Sequence, residues 1–301
     1  MWIPVAGLPA LTFASNPRRI AIHSYPIRRS FRIRWSDTEN GRVSRVGMSH
    51  FFEDMRVVSL AHFEKAVAPK FRGMLRAITI EHIAPAIMDS PLELTSGIAA
   101  IGKTSFTYAL AAFQNGRCVA VGSATDVQVA DGRPIVLAVE TRRVLGQHLM
   151  PDASVDTPTG APAQQHGYRW SLELHTRFSD TDLVGHLNNV SIFRYHDNAA
   201  IAFMRDALGQ SGREAEDEGL SIIRQEVSFA LETHYPGRIT MGVAVQEIQP
   251  HWFTLMTAST QGDRRTTTAT AIVMWLDKQG PAQELPDALV TRLRNSRNVG
   301  A

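Results

Sequence analysis

The chain has one cysteine in 301 residues, Cys118, so no disulfide can close within it. Cys118 sits in the apolar run Gly116-Arg117-Cys118-Val119-Ala120-Val121, where a thiol reads as a small buried hydrophobe. A reducing, cytoplasmic compartment suits such a sequence. Charge of one sign is also scarce: 31 basic against 29 acidic residues leave a net +2, which gives no broad cationic face for nucleic acid. Long apolar runs are missing. The opening Met1–Ala14 is apolar but broken by Pro4 and Pro9, too short to span a bilayer and without a basic n-region, so residues 1–29 read as an N-terminal arm and no membrane insertion is expected. Equally absent are a Gly-x-Ser-x-Gly elbow, a His/Cys cluster at metal-ligand spacing and a glycine-rich phosphate loop. These absences point away from serine hydrolases and imply neither metal nor nucleotide cofactor.

What is present is a globular composition, 44% hydrophobic and 20% charged, in a chain long enough for two domains. It is also written twice. Ser30-Phe-Arg-Ile-Arg-Trp-Ser-Asp-Thr-Glu-Asn40 resembles Ser171-Leu-Glu-Leu-His-Thr-Arg-Phe-Ser-Asp-Thr-Asp-Leu183 at a spacing of 143 to 144. Further on the spacing becomes 147, where Phe106-Thr107 falls on Phe253-Thr254, Gln114 on Gln261 and Arg117 on Arg264. A register held through so many elements marks a duplication. The expected domains are 30–150 and 168–301, joined by a Pro-, Ala-, Gly- and Thr-rich linker over 151–167.

Each half shows one helical pattern, Met48–Phe63 and Val190–Leu208, followed by strand-like runs. In the first half these are Leu75–Ile83, Leu92–Ile101, Ser105–Gln114 and Val119–Val129. In the second they begin at Ser221, Arg238, Phe253 and Arg265, with turn signals at Tyr235-Pro236-Gly237, Gln261-Gly262-Asp263 and Lys278–Pro281. A sheet covering one helix must shelter its edge, and two such units can pair edge to edge.

The densest chemistry lies in Arg177–Ala199, where Asp180-Thr-Asp182 precedes Gly185-His186-Leu-Asn188-Asn189 at the start of a helix. Thioester hydrolysis needs a carboxylate or activated water, and donors aimed at the developing oxyanion. Asp182 can supply the first as nucleophile or as general base, and the unpaired N–H groups where the helix begins near Asn189 can supply the second. Gly185 would let the backbone approach the thioester. Each has a plainer role: Asp180 or Asp182 as a turn cap, Asn188 or Asn189 as the helix N-cap, His186 as a structural histidine.

This combination resembles the hotdog-fold thioesterases of the 4-hydroxybenzoyl-CoA and acyl-CoA thioesterase type, and the duplication resembles their double-hotdog members. The resemblance covers about 30–145 and 168–295. It implies an α+β fold, a tandem hotdog with two long central helices on a continuous antiparallel sheet, and hydrolysis of an acyl-CoA thioester. It makes Asp182 the catalytic carboxylate, with His186, Asn188 and Asn189 completing the site, while Gly185, Tyr195 and Asp197 would meet substrate. With the acyl chain between the two helices, Phe51 and Phe52 of the first half would line it beside Met48. No cofactor is implied beyond the CoA of the substrate, and association into a homo-oligomer is compatible. Candidates for the CoA phosphates are Lys103, Arg177, Arg224 and Arg238.

The first half departs from the pattern. It keeps Asp37 and places Glu39 at the catalytic position, but Gly-Arg-Val-Ser-Arg replaces Gly-His-x-Asn-Asn, so it reads as a structural or substrate-binding half with Glu39 a solvated loop acid. The arginine three residues after the helix acid is Arg56 beyond Glu53 in that half, and Ala200 beyond Asp197 in the other. Plant acyl-ACP thioesterases resemble this division, although their asparagine two residues past the catalytic acid is Val184 here. The hydratase run Asp-x-Asn-Pro-x-His is absent. Acyl-ACP or polyketide-type processing, and acyl-thioester binding without turnover, are the alternative readings.

Overall fold

Six ladder irregularities show how closely the two halves repeat. In a computed structural model describing residues 13–64, 73–150, 153, 168–182, 185–209, 219–276 and 282–296, the pairing skips Arg76, Ala99 and Val119 in the first half. In the second it skips Ile223, Gln246 and Thr266, each 147 residues on. A bulge bends and twists its strand at a chosen point, so shared bulges mean shared sheet curvature.

The chain divides into two compact units between Thr157 and Pro158, within the expected linker. That linker lies outside the described residues apart from Ala153, as do residues 1–12, Leu183, Val184 and the turn Lys278–Pro281. The first unit contains β1 (Ile27–Phe31), α1 (Arg45–Glu64), β2 (Gly73–His82), β3 (Leu92–Ile101), β4 (Ser105–Gln114), β5 (Arg117–Ala130) and α2 (Val139–Gly146). Its antiparallel strands run in the order β1-β3-β4-β5-β2. The second contains β6 (Trp170–His175), α3 (Asn189–Leu208), β7 (Leu220–Phe229), β8 (Arg238–Ile248), β9 (Trp252–Gln261), β10 (Arg264–Trp275) and α4 (Asp287–Asn295). Its order, β6-β8-β9-β10-β7, is the same topology.

Each long helix crosses the outer strands of its own sheet, α1 over β1, β3 and β4, and α3 over β6, β8 and β9. The buried stripe of α3 carries Ile192, Tyr195, Ala199 and Phe203, the helical period that brings one face to the sheet. Asn188 starts it, its side-chain oxygen accepting the Val190 N–H, and Gly209 ends it at φ +70. In α1 the Phe52 ring presses against Gly122 of β5, where an added Cβ would fall 2.6 Å from the ring.

Two features differ from the sequence reading. Each unit has a second helix, α2 and α4, of only 8 and 9 residues; with few buried positions apiece, such as Val144 and Leu145, or Leu289 and Leu293, they are too short to stand out as a period. The arm is part of the first unit from Phe13 on. The Glu81 carboxylate accepts the N–H groups of Phe13 and Ala14, and Phe13 and Tyr25 cover Ala109, Ala111, Phe113 and Val121. Cys118 lies buried in that cluster, and burial pushes its thiol up to about 12. Among the described residues no helix is long and apolar enough to cross a membrane.

Candidate active site

The loop between β6 and α3 is organised by Asp180. Its buried carboxylate accepts the Arg177 N–H, closing the short turn Phe178–Asp180, and accepts the Tyr195 hydroxyl from α3. Its carbonyl accepts the Asn188 N–H at 2.8 Å. Strand end, turn and helix start are thereby joined through one residue. Burial first, and then the bond to Asp180, raise the Tyr195 phenol above its ordinary range.

Asp182 follows at the tip, exposed. Its N–H donates to the His186 carbonyl at 2.8 Å, and its carboxylate accepts the His186 N–H at 3.0 Å. Gly185, at φ +84, makes the reversal that brings residue 186 back to 182, a conformation in which a side chain would be strained. The carboxylate thus caps its own turn through Oδ1 and stands in solvent just ahead of α3. Asn188 takes the Val190 N–H at 2.7 Å, so the Asn189 N–H, first of the helix, is left with no acceptor inside it. Carboxylate, positive helix end and reversing glycine are therefore adjacent along one short segment.

A second segment meets this loop. The Leu187 N–H donates to the Thr233 carbonyl at 2.9 Å, and His186 bridges His234. The His186 Nε2 stands 3.4 Å from the Glu232 carboxylate, and the two imidazole rings meet edge to face at 5.2 Å. Gln261 fixes this segment by accepting the His234 N–H and donating to the His234 carbonyl. Glu232 and His234 were not among the sequence candidates, since nothing local marks a Leu-Glu-Thr-His stretch as part of a site 46 residues upstream.

The first unit has the same scaffold with different groups. Val43 donates to Ala86, Gln114 clamps both polar atoms of Ile87, and Ser44 caps α1 by accepting the Gly47 N–H. Where the second unit has Asp182, His186, Asn188, Glu232 and His234, the first has Glu39, Arg42, Ser44, Pro85 and Ile87. The bonds that shape the loop are shared; the His186–His234 ring pair and the Glu–His contact belong to the second unit.

Other candidates lie apart from this cluster. Asp197 is buried on α3, and its neighbour His196 is held at 2.6 Å from Thr257 and 2.7 Å from Thr267, its pKa lowered by burial to about 3. Phe51 and Phe52 are buried in the first unit, Phe51 edge-on to Phe31. Of the phosphate candidates, Arg224 is a correction: it is buried on β7, 4.0 Å from Glu226, because its strand position faces inward. Arg238 pairs with Glu173 at 3.3 Å, and Arg177 and Lys103 are exposed. Among the described residues no three His, Cys, Asp or Glu side chains converge as metal ligands would.

One long helix on a five-stranded antiparallel sheet is the hotdog fold, and each unit has it. Residues 176–293 match the model of the thioesterase-like superfamily. No curated protein matches the chain. Solved structures share its fold across both units. A 12:0-ACP thioesterase from Umbellularia californica aligns at TM-score 0.65 and 13% identity, over 83% of this chain and 97% of its own. An acyl-ACP thioesterase from Bacteroides thetaiotaomicron aligns at 0.60 and 11%, over 87% and 100%. A protein provisionally assigned as an oleoyl thioesterase from Lactobacillus plantarum aligns at 0.68 and 13%, over 84% and 97%.

Proposed function

We propose that this chain is a cytosolic double-hotdog thioesterase, a first hotdog domain over 30–150 and a second over 168–301, that hydrolyses an acyl thioester to the free acid and a thiol. The observation that carries the reading is the exposed Asp182 carboxylate, held by the His186 N–H directly ahead of the α3 N-terminus. Asp182 either attacks the carbonyl carbon, giving a mixed anhydride that water then opens, or removes a proton from the attacking water. The Asn189 N–H, at the positive end of the helix, donates to the developing oxyanion; such a donor is worth roughly 100 to 1,000-fold in rate. Asn188 holds the helix start in place. His186, its ring steadied by Glu232, shares the loop with Asp182 and is the group proposed to hand a proton to the departing thiolate. Of the expected substrate contacts Gly185 stays at the loop, while Tyr195 acts through its bond to Asp180. No metal or redox cofactor takes part.

Coenzyme A is the thiol in the first reading. Acyl carrier protein is the second, favoured by the names of two structures similar over most of both chains. The test is thiol release from matched acyl-CoA and acyl-carrier-protein series of short, medium, long and aromatic acyl groups. Turnover of either series supports hydrolysis, and the preferred series names the carrier. Tight binding of both without thiol release would replace the enzyme with a binding protein.

A further inference from the structure

One exposed charged surface plays no part in the loop chemistry. Arg28, Arg29, Arg32 and Arg34 are all exposed along β1 and the extended residues that follow it. Among the described residues β1 is the outermost strand of its unit, paired with β3 on one side. Among the described residues none of the four arginines forms an ion pair with a carboxylate. The nearby acids are Glu93, which sits across from Ser30 in the ladder, Asp37, whose carboxylate accepts the Arg34 N–H, and Glu39. Beyond the arginines stands Trp35, 75% exposed.

The repeat shows that the fold does not require these charges, while an exposed aromatic, Phe178, stands where Trp35 does. At the matching positions, 143 residues on, the second unit has Ser171, Leu172, His175 and Arg177, so one of four positive charges is kept. Unpaired guanidinium groups crowded on an edge repel one another, and a terminal strand bearing them is protected from pairing with other strands. Such protection needs one or two charges; four with an exposed tryptophan form a recognition surface. Arg and Trp are the residue types most enriched where partners bind.

The size of the surface indicates the kind of partner. The seven residues from Arg28 to Arg34, six steps of extended chain, span roughly 20 Å, too long for the diphosphate of a single nucleotide thiol and suited to an extended acidic protein face. We propose that the Arg28–Arg34 edge of the first unit docks an acidic carrier protein that presents the acyl thioester. This rests on the thioesterase reading and selects its carrier. The unit that has exchanged His-x-Asn-Asn for Arg-Val-Ser-Arg then has a function of its own, recognising the carrier rather than cleaving the bond.

The experiment uses the full chain and an acyl carrier protein bearing a dodecanoyl thioester. Binding is measured by calorimetry at low and high salt, for wild type, Arg28→Glu/Arg32→Glu and the milder Arg28→Gln/Arg32→Gln. Turnover is followed on the same carrier and on dodecanoyl-N-acetylcysteamine, which lacks a protein. The expected result is salt-sensitive wild-type binding, weakened at least tenfold by charge reversal and less by neutralisation. KM for the carrier substrate should rise in parallel, with unchanged turnover of the small thioester. Wild type cleaving the small thioester while neither double variant alters carrier binding would overturn the docking surface alone. Loss of turnover on both substrates would also overturn it, as would capture by phosphatidylserine vesicles or duplex DNA in place of the carrier. If the carrier binds through the arginines and no thioester is cleaved, docking stands and hydrolysis falls.

Discussion

Gln261 holds the main chain of His234 from both sides, accepting its N–H at 3.0 Å and donating to its carbonyl at 2.8 Å. Gln114 does the same to Ile87 in the first unit, at 2.9 and 2.7 Å. The clamp therefore belongs to the fold, while the imidazole it presents to His186 belongs to the site. Gln261→Ala should free this segment, lowering turnover by roughly 10 to 100-fold through misplacement. The matched Gln114→Ala should cost similar stability and leave turnover within a few-fold. Thermal melts and thiol release on the two variants check this.

Asn188 caps α3 as Ser44 caps α1, so the repeat itself supplies a conservative replacement. Asn188→Ala should destabilise the chain by about 1 kcal/mol. Asn188→Ser should restore both stability and turnover. Failure of serine to restore turnover, with stability regained, would mean that the amide meets substrate rather than only starting the helix.

His196 is buried beneath α3 between two threonine hydroxyls, and burial lowers its pKa from 6.5 to about 3. Between those values the unfolded chain binds a proton that the folded chain refuses. Its contribution to stability is therefore complete above pH 6.5 and is lost as pH falls toward 3, by about 1 kcal/mol per pH unit. In the first unit Phe52 occupies the equivalent place. His196→Phe should lower stability at pH 7 by about 1 to 3 kcal/mol, since Thr257 loses its ring partner, and should flatten the decline between pH 6.5 and 4. Denaturant melts across that range measure both effects.

Much of the fold was legible in the sequence because the duplication places each element twice. The β3 and β4 bounds, Leu92–Ile101 and Ser105–Gln114, coincide with the apolar runs read from the chain, since turns with Gly102 and Gly116 mark their ends. The short helices α2 and α4 were not legible, having too few turns to establish a period. The loop that carries Asp182, His186 and Asn188 stood out because these residues lie together with a glycine and a helix start. Glu232 and His234 reach it only through the β7–β8 connection, a proximity created by strand pairing and the Gln261 clamp. Comparing Leu231-Glu232-Thr233-His234 with Ala84-Pro85-Ala86-Ile87 would have exposed them, because ionisable groups in one copy face apolar ones in the other.

The central claim is that the chemistry is confined to the second unit although both loops share a scaffold. The direct measurement is thiol release by Asp182→Asn and Glu39→Gln beside wild type, on the best acyl thioester of the series. Asparagine keeps an oxygen to accept the His186 N–H, so the turn should persist and only the charge be lost. We expect Asp182→Asn to fall at least 100-fold and Glu39→Gln to stay within twofold of wild type. Equal losses in the two variants, or full activity in Asp182→Asn, would contradict the account.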